Sequence, residues 1–383
     1  MSPAPADLAA TGDELFRSGD FDAAASAYAR TLALTPGDES AQVGLGAIEL
    51  YRNDLDAAEP ALERVAGADP GNARATKLLA ELRRRRSDWA KRTTIDGEAA
   101  VIPFLVTDPL PAVRVRVNGK PEAIFLIDTG GPSIVLDRDY ARELGLAVRE
   151  AGSGTFAGGK TAAIAQTTLD SVALGAATAY DVTATVIPTR GISPIPNMRI
   201  DGIVGTGLLE RFLATLDYPR AELILRSRGA SASAAFQTSA REAGATIVPF
   251  WLVGDHYVIA KAQVNAAPPG LYLFDSGLAG GGLVASKQLV DAAGLHLDTA
   301  NTTQGMGGGG SFSSVPFVAK TIAVGSAVQH DVAGVYMPDG SPLSIFPFDV
   351  QGVVSHDFLK HYAYTVDFDA MKLGLARSPQ AAR

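Results

Sequence analysis

The sequence predicts a multidomain chain: an all-α run of helical hairpins, followed by a mainly-β region of two duplicated lobes. Three observations carry that fold class. The N-terminal part repeats with a period of 34 residues. Two later segments, Phe125-Leu126-Ile127-Asp128-Thr129-Gly130 and Tyr272-Leu273-Phe274-Asp275-Ser276-Gly277, repeat one apolar strand ending in a glycine turn. Residues on both sides of those segments recur at fixed offsets, which marks a duplication rather than a chance tripeptide. The expected divisions are helical repeats with a closing helix over 1–92, lobe one over 93–228, a linker over 229–243 and lobe two over 244–383.

Composition fits this division. A chain of 383 residues holds two or three domains with real cores. An apolar content of 47% against 19% charged residues is that of a globular protein, and 40 glycines favour turn-rich β structure. The formal net charge of −8 argues against broad binding to nucleic acid or to an anionic membrane. There is no cysteine, which excludes disulfides, thiolate metal sites and a cysteine nucleophile. No stretch is long and apolar enough to insert into a membrane as a helix. Met1-Ser2-Pro3-Ala4-Pro5-Ala6 leads straight into an acidic amphipathic segment, with no signal-peptide pattern. A cytoplasmic protein that starts at Met1 and a periplasmic or secreted protein whose signal peptide was removed both fit, and the two readings stay open.

The helical part comes first. Gly12 and Gly46, Ala24 and Ala58, and Pro36 and Pro70 are each 34 residues apart. Leu15, Tyr28 and Leu32, then Leu45, Leu55 and Leu62, carry helical apolar spacing. Thr35-Pro36-Gly37-Asp38 and Asp69-Pro70-Gly71-Asn72 are helix-stop and turn signals. Gly19-Asp20-Phe21-Asp22-Ala23-Ala24 and Asn53-Asp54-Leu55-Asp56-Ala57-Ala58 mark the turn between paired helices. This pattern resembles the tetratricopeptide repeat, in two copies plus a closing helix near 73–90, without the family's large aromatic near the repeat start. The resemblance implies a concave face for a peptide or protein partner. Packing on a neighbouring domain is the competing reading. The run Arg83-Arg84-Arg85-Arg86 reads as the solvated face and end of the closing helix, where cations suit the dipole.

The β region follows. Ala112-Val113-Arg114-Val115-Arg116-Val117 alternates as a strand and meets a turn at Asn118-Gly119. Asn118 precedes Asp128 by ten residues, and Asn265 precedes Asp275 by ten. Gly145-Leu146 and Gly294-Leu295 close similar segments. Asp201-Gly202-Ile203-Val204-Gly205 aligns with Gln351-Gly352-Val353-Val354-Ser355. From there the copies run ungapped through Leu209 and Leu359, Asp217-Tyr218 and Asp367-Phe368, and Leu223 and Leu373. The Ser/Ala-rich stretch from Ser227 to Ala240 reads as the linker.

A buried carboxylate is costly unless it is paired or protonated. Two of them, delivered by two copies of one strand and turn, point to a shared proton. Asp-Thr-Gly and Asp-Ser-Gly after apolar strands, with a later Ile203-Val204-Gly205, resemble the pepsin- and retropepsin-like aspartic peptidases in a single-chain, two-lobed form. Lobe two departs at Ser355, where the family pattern has glycine. The resemblance implies an aspartic endopeptidase with Asp128 and Asp275 catalytic, a polypeptide substrate, and neither cofactor nor metal. Gly130 and Gly277 would allow the tight turns, and Thr129 and Ser276 would hydrogen-bond across the pseudo-twofold axis. One carboxylate would act as base on a water, and its protonated neighbour as acid. Such a site needs a flap that excludes water. The expected flap is the hairpin Gly154 to Thr161, with Phe156, Gly158 and Gly159 facing the substrate, and its lobe-two counterpart is Gly305 to Gly310.

Two other readings share these residues. The first is a catalytically inactive protein-interaction scaffold that keeps the fold. The second, more remote, is a nucleotide-binding protein, because Gly154 to Thr161 fits the phosphate-loop pattern with Lys160 in the lysine position. That motif needs a buried strand before it and a helix after it. Here Val148-Arg149-Glu150-Ala151-Gly152 is polar and Ala162 to Thr168 reads as a strand. His256, His296, His330, His356 and His361 show no metal-ligand spacing. Ser355-His356-Asp357 is contiguous, unlike a triad, whose members converge from separate segments. Trp89 and Trp251 read as packing residues.

Overall fold

The computed structural model describes residues 5–156, 161–190, 195–307, 310–338 and 342–377. The chain divides into two compact units. One comprises residues 1–90 with 251–255 and 346–350, and the other comprises 91–250, 256–345 and 351–383.

The first unit is built on five helices: α1 (Pro5–Arg17), α2 (Phe21–Leu34), α3 (Glu39–Tyr51), α4 (Leu55–Ala68) and α5 (Ala73–Trp89). Each helix from α2 to α5 starts on a side-chain cap. Asp20, Asp38, Asp54 and Asn72 accept from the backbone N–H groups of Ala23, Ala41, Ala57 and Ala75, satisfying donors that a helix start leaves free. The paired positions Gly19 and Asn53 both adopt positive φ, 81° and 66°, at the end of the preceding helix. The repeated glycines have a packing reason. A Cβ at Gly12 would strike the Tyr28 ring, and one at Gly46 would strike Leu62. Phe16, Phe21, Tyr51, Trp251 and Phe348 form one aromatic cluster, with Phe21 5.2 Å from Trp251 and 5.0 Å from Phe348.

One expectation fails in α5. Arg83, Arg84 and Arg86 pair with Glu63, Asp88 and Asp56 near the surface, but Arg85 is fully buried. Its guanidinium donates to Leu50 O at 2.8 Å, Glu81 Oε1 at 2.8 Å and Gly254 O at 2.8 Å. A buried cation persists only when its donors are spent in this way. The run of four arginines is thus not a uniform solvated face.

The second unit begins with β1 (Thr93–Ile95), β2 (Ala100–Pro103), β3 (Ala112–Val117), β4 (Ala123–Asp128), β5 (Ile134–Asp137) and α6 (Arg138–Glu143). Then come β6 (Arg149–Thr155), β7 (Thr161–Leu174), β8 (Ala177–Ile187), β9 (Gly202–Gly205), α7 (Thr206–Leu209), β10 (Leu213–Asp217) and β11 (Glu222–Arg226). Helix α8 (Ala230–Glu242) and strand β12 (Thr246–Val253) lead into the second copy. That copy runs β13 (Tyr257–Val264), β14 (Gly270–Asp275), β15 (Leu283–Ala285), α9 (Lys287–Ala292), β16 (Thr303–Gly307), β17 (Gly310–Val324) and β18 (Ala327–Tyr336). It closes with β19 (Gly352–Ser355), α10 (His356–Leu359), β20 (Ala363–Asp367) and β21 (Lys372–Ala376).

Strands β1, β8, β5, β9, β4, β3, β7 and β6 form one sheet in that order. Strands β16, β17, β18, β15, β19, β14 and β13 form its lobe-two counterpart. A layer ordered β12-β21-β20-β10-β11-β2 joins the copies. At its centre β10 pairs antiparallel with β20, and Thr215 faces Thr365 with their hydroxyls 2.8 Å apart. These residues occupy the same position in the two copies, so the pseudo-twofold axis passes between them.

Backbone geometry repeats with the sequence. Asn118 and Asn265 both have positive φ, 49° and 51°. Each pairs its backbone N–H and side-chain oxygen with one residue of the neighbouring strand, Ser171 or Thr321. A side chain that caps its own left-handed turn favours asparagine there. The stretch 229–243, expected as a linker, is mostly helix α8. Ser233 on α8 bonds the buried Asp367 at 2.5 Å, and Phe236 packs on Gly374 of β21.

Candidate active site

Asp128 ends β4 and Asp275 ends β14. Each strand runs parallel to a second strand that supports it: Asp128 stands beside Gly205 and Asp275 beside Ser355. The apolar runs before the aspartates are core strands, and the glycines after them turn both carboxyls toward each other. Gly130 N donates to Asp128 Oδ1 at 2.9 Å and to Asp275 Oδ1 at 3.1 Å. Gly277 N donates to Asp275 Oδ1 at 2.7 Å. A Cβ at Gly130 would overlap the Asp275 carboxylate, and one at Gly277 would overlap that of Asp128. Only glycine leaves room for the pair.

Thr129 and Ser276 interlock beneath the carboxyls. Thr129 N donates to Ser276 Oγ at 3.0 Å, and Ser276 N donates to Thr129 Oγ1 at 2.9 Å. The hydroxyls donate onward to the opposite strands, Thr129 Oγ1 to Phe274 O at 3.2 Å and Ser276 Oγ to Ile127 O at 3.4 Å. Thr206 Oγ1 braces the lobe-one turn through Thr129 O at 2.7 Å.

The two carboxyls differ in environment. Asp128 is partly exposed, whereas Asp275 is only 8% exposed. Burial raises the Asp275 carboxyl well above the usual range, and the adjacent Asp128 carboxylate and its hydrogen bond push in the same direction. Like charges this close do not both ionise, so the geometry favours one retained proton between the two groups.

Ser355 departs from glycine without deforming lobe two. In lobe one a Cβ at Gly205 would overlap the backbone oxygen of Pro132. In lobe two the facing loop carries Gly281 and Gly282 instead. Ser355 N donates to Gly282 O at 3.0 Å, and Ser355 Oγ to Gly281 O at 2.6 Å. The missing glycine has in effect moved to the opposing loop.

Phe156 follows β6 and is half-buried, its ring lying against Gly154 of its own hairpin. Gly158, Gly159 and Lys160 lie outside the described residues, as do positions 308 and 309 of the lobe-two counterpart. Strands β6 and β7 pair antiparallel with Thr155 opposite Thr161. A strand thus stands where a phosphate loop needs a helix, which removes the nucleotide reading.

One cluster was invisible in the sequence. His356 Nε2 lies 3.2 Å from Asp108 Oδ1, a pairing of residues 248 positions apart. Asp108, His356 and Asp357 are the group among the described residues spaced to hold a metal ion. The Lys360 ammonium lies beside two of them, 3.2 Å from Asp108 and 2.7 Å from Asp357. Burial lowers the affinity of His356 for a proton.

Residues 113–208 and 260–349 match the aspartyl protease family model, and residues 10–73 and 45–91 match the tetratricopeptide repeat model. Aspartyl protease and tetratricopeptide-repeat regions are therefore both present in this chain. A retropepsin-like aspartic protease from Rickettsia conorii is 24% identical, with a TM-score of 0.27, covering 36% of this chain and 95% of its own. Conglutin gamma, a basic 7S globulin from lupine seeds, is 11% identical, with a TM-score of 0.42, covering 74% of this chain and 96% of its own. No curated protein matches the chain. Among the described residues no helix is long and apolar enough to cross a membrane.

Proposed function

We propose that the protein is an aspartic endopeptidase in which Asp128 and Asp275 hydrolyse peptide bonds through one shared proton. The observation that carries this reading is the Gly130 N–H, which bonds both carboxylates and holds them as a pair. The buried Asp275, whose proton is held more tightly, is the acid. The more exposed Asp128 is the base.

In this reading a water between the carboxyls loses a proton to Asp128 and attacks the scissile carbonyl carbon. Asp275 gives its proton to the carbonyl oxygen, forming a neutral tetrahedral diol. Collapse of that diol returns one proton to the dyad and delivers one to the leaving nitrogen, which departs as the amine. Atoms and charge balance without a covalent enzyme intermediate. The interlocked Thr129 and Ser276 turns keep the carboxyls at working separation throughout. Gly158 and Gly159 with Phe156 are read as the flap that covers a bound polypeptide.

The helical repeats contribute differently. Their cluster of Phe16, Phe21 and Tyr51 already packs on Trp251 and Phe348 of the same compact unit. We assign that surface to packing, and a protein partner or substrate segment to the remaining repeat faces.

The experiment is hydrolysis of an unfolded polypeptide by the full chain, with Asp128→Asn and Asp275→Asn beside it. Cleavage by the wild type, falling by roughly four orders of magnitude or more in each variant, supports the proposal. Absence of cleavage at every pH, with all three proteins folded, leaves the scaffold reading in its place.

A further inference from the structure

The interlock beneath the dyad has hydrogen-bonding capacity to spare. A hydroxyl offers one proton and two lone pairs. Ser276 Oγ accepts from Thr129 N and donates to Ile127 O. Thr129 Oγ1 accepts from Ser276 N and donates to Phe274 O. Each hydroxyl therefore keeps one lone pair.

A buried tyrosine stands beside each of them. The hydroxyl of Tyr218, directly after β10, faces Ser276. The hydroxyl of Tyr364, in β20, faces Thr129. Neither phenol oxygen closes a hydrogen bond, and both are shut away from solvent. An unspent O–H in the interior is costly unless an acceptor is at hand. Here each faces a hydroxyl acceptor with a matching vacancy. The Tyr218 ring is held by Phe104 at 5.8 Å and by His356 at 5.4 Å.

The pairing is crossed between the lobes. Tyr218 comes from lobe one and faces a lobe-two serine, whereas Tyr364 comes from lobe two and faces a lobe-one threonine. Duplication does not account for the pair. The copy of Tyr218 is Phe368, and the copy of Tyr364 is Ala214. Each lobe has acquired its phenol at a different position, yet both phenols reach the same interlock.

We propose that Tyr218 and Tyr364 are positioning residues, each donating its phenol proton to the remaining lone pair of Ser276 or Thr129. The two bonds tie the aspartate turns together from below and hold the carboxyls at the separation that shares one proton. This inference rests on the catalytic reading of the dyad.

The test uses the full chain with Tyr218→Phe, Tyr364→Phe and, as control, Tyr272→Phe. Tyr272 on β14 also buries a hydroxyl with no partner, and burial is the sole influence on its acidity. In the first two variants kcat is expected to fall by roughly tenfold, with KM within about twofold of wild type, the size of effect one hydrogen bond exerts. The alkaline limb of kcat/KM is expected to move to lower pH, because carboxyls that drift apart release the shared proton more easily. The control is expected to keep the wild-type profile. Carboxyl titration of the same proteins by carbon-13 NMR reads the dyad without substrate, and its upper apparent pKa is expected to fall in both tyrosine variants. A wild type that hydrolyses nothing overturns the catalytic reading, while the NMR titration still judges the phenols. Unchanged NMR titration and pH profile in folded Tyr218→Phe and Tyr364→Phe would overturn the proposal. If one variant does not fold, the other decides alone.

Discussion

At the scale of single residues, the site is governed by two glycines and one buried acid. Gly130 and Gly277 each stand where a methyl group would enter the opposite carboxylate. Gly130→Ala and Gly277→Ala are expected to destabilise the fold by about 2 kcal/mol or more through overpacking, and to lose hydrolysis even where the protein still folds. Denaturant melts beside activity assays check both. Asp275 has a raised carboxyl pKa in the folded protein. Its contribution to stability is therefore full below the unfolded carboxylate pKa and declines as the pH rises through the folded value. Asp275→Asn removes that loss. The variant is expected to melt at or above the wild-type temperature at neutral pH, with a smaller or no gain under strongly acid conditions. A wild type that gains stability on going from acid to neutral pH through this residue would contradict the assignment.

At the scale of elements, the β9 and β19 supports show how one duplicated part tolerates different residues. Gly205→Ala drives a methyl group into the Pro132 carbonyl and is expected to cost about 3 kcal/mol. Ser355→Gly removes one hydrogen bond to Gly281 and is expected to cost about 1 kcal/mol. Urea titration of the two variants measures the difference. Helix α5 carries a second titrating element. Burial overcomes the neighbouring Arg85 and pushes the Glu81 carboxyl up to about 7. Because that value is raised, its stabilising share is full below the ordinary 4.5 and is lost as the pH climbs toward 7. Glu81→Gln is expected to flatten the fall in melting temperature across that interval. Such elements divide cleanly into those the sequence could reveal and those it could not. Asn118, Asn265 and the 34-residue helical period have local causes, a left-handed turn and a close helix approach, and local causes leave local patterns. Arg85 looked like its three arginine neighbours, since only its partners, Leu50, Glu81 and Gly254, make it a core residue. Helix α8 read as a linker because Ser233 and Phe236 gain their meaning from Asp367 and Gly374, far along the chain.

At the scale of the whole duplicated unit, what matters is symmetry and where it breaks. The shared frame sets Thr215 against Thr365 on the axis and Asp128 against Asp275 above it. This much was legible, because a duplication writes its geometry as repeated offsets. The breaks were not. Tyr218 opens a turn after β10 and Tyr364 lies in β20, neither with a sequence pattern that names its neighbour, and the Asp108–His356 contact spans 248 positions. Each involves residues whose counterparts in the other half are different, Phe368 for Tyr218, Ala214 for Tyr364 and Thr206 for His356. Within the same repeated frame the two aspartates also differ, Asp275 buried and Asp128 partly open.

The central claim is that Asp128 and Asp275 act together on peptide bonds. The most direct measurement is the pH profile of polypeptide hydrolysis by the full chain in water enriched in oxygen-18, beside Asp275→Asn. The expected result is a bell-shaped profile for the wild type, label in the new carboxyl termini after a single turnover, and no hydrolysis by the variant. Hydrolysis that persists in Asp275→Asn with its profile unchanged would contradict the claim.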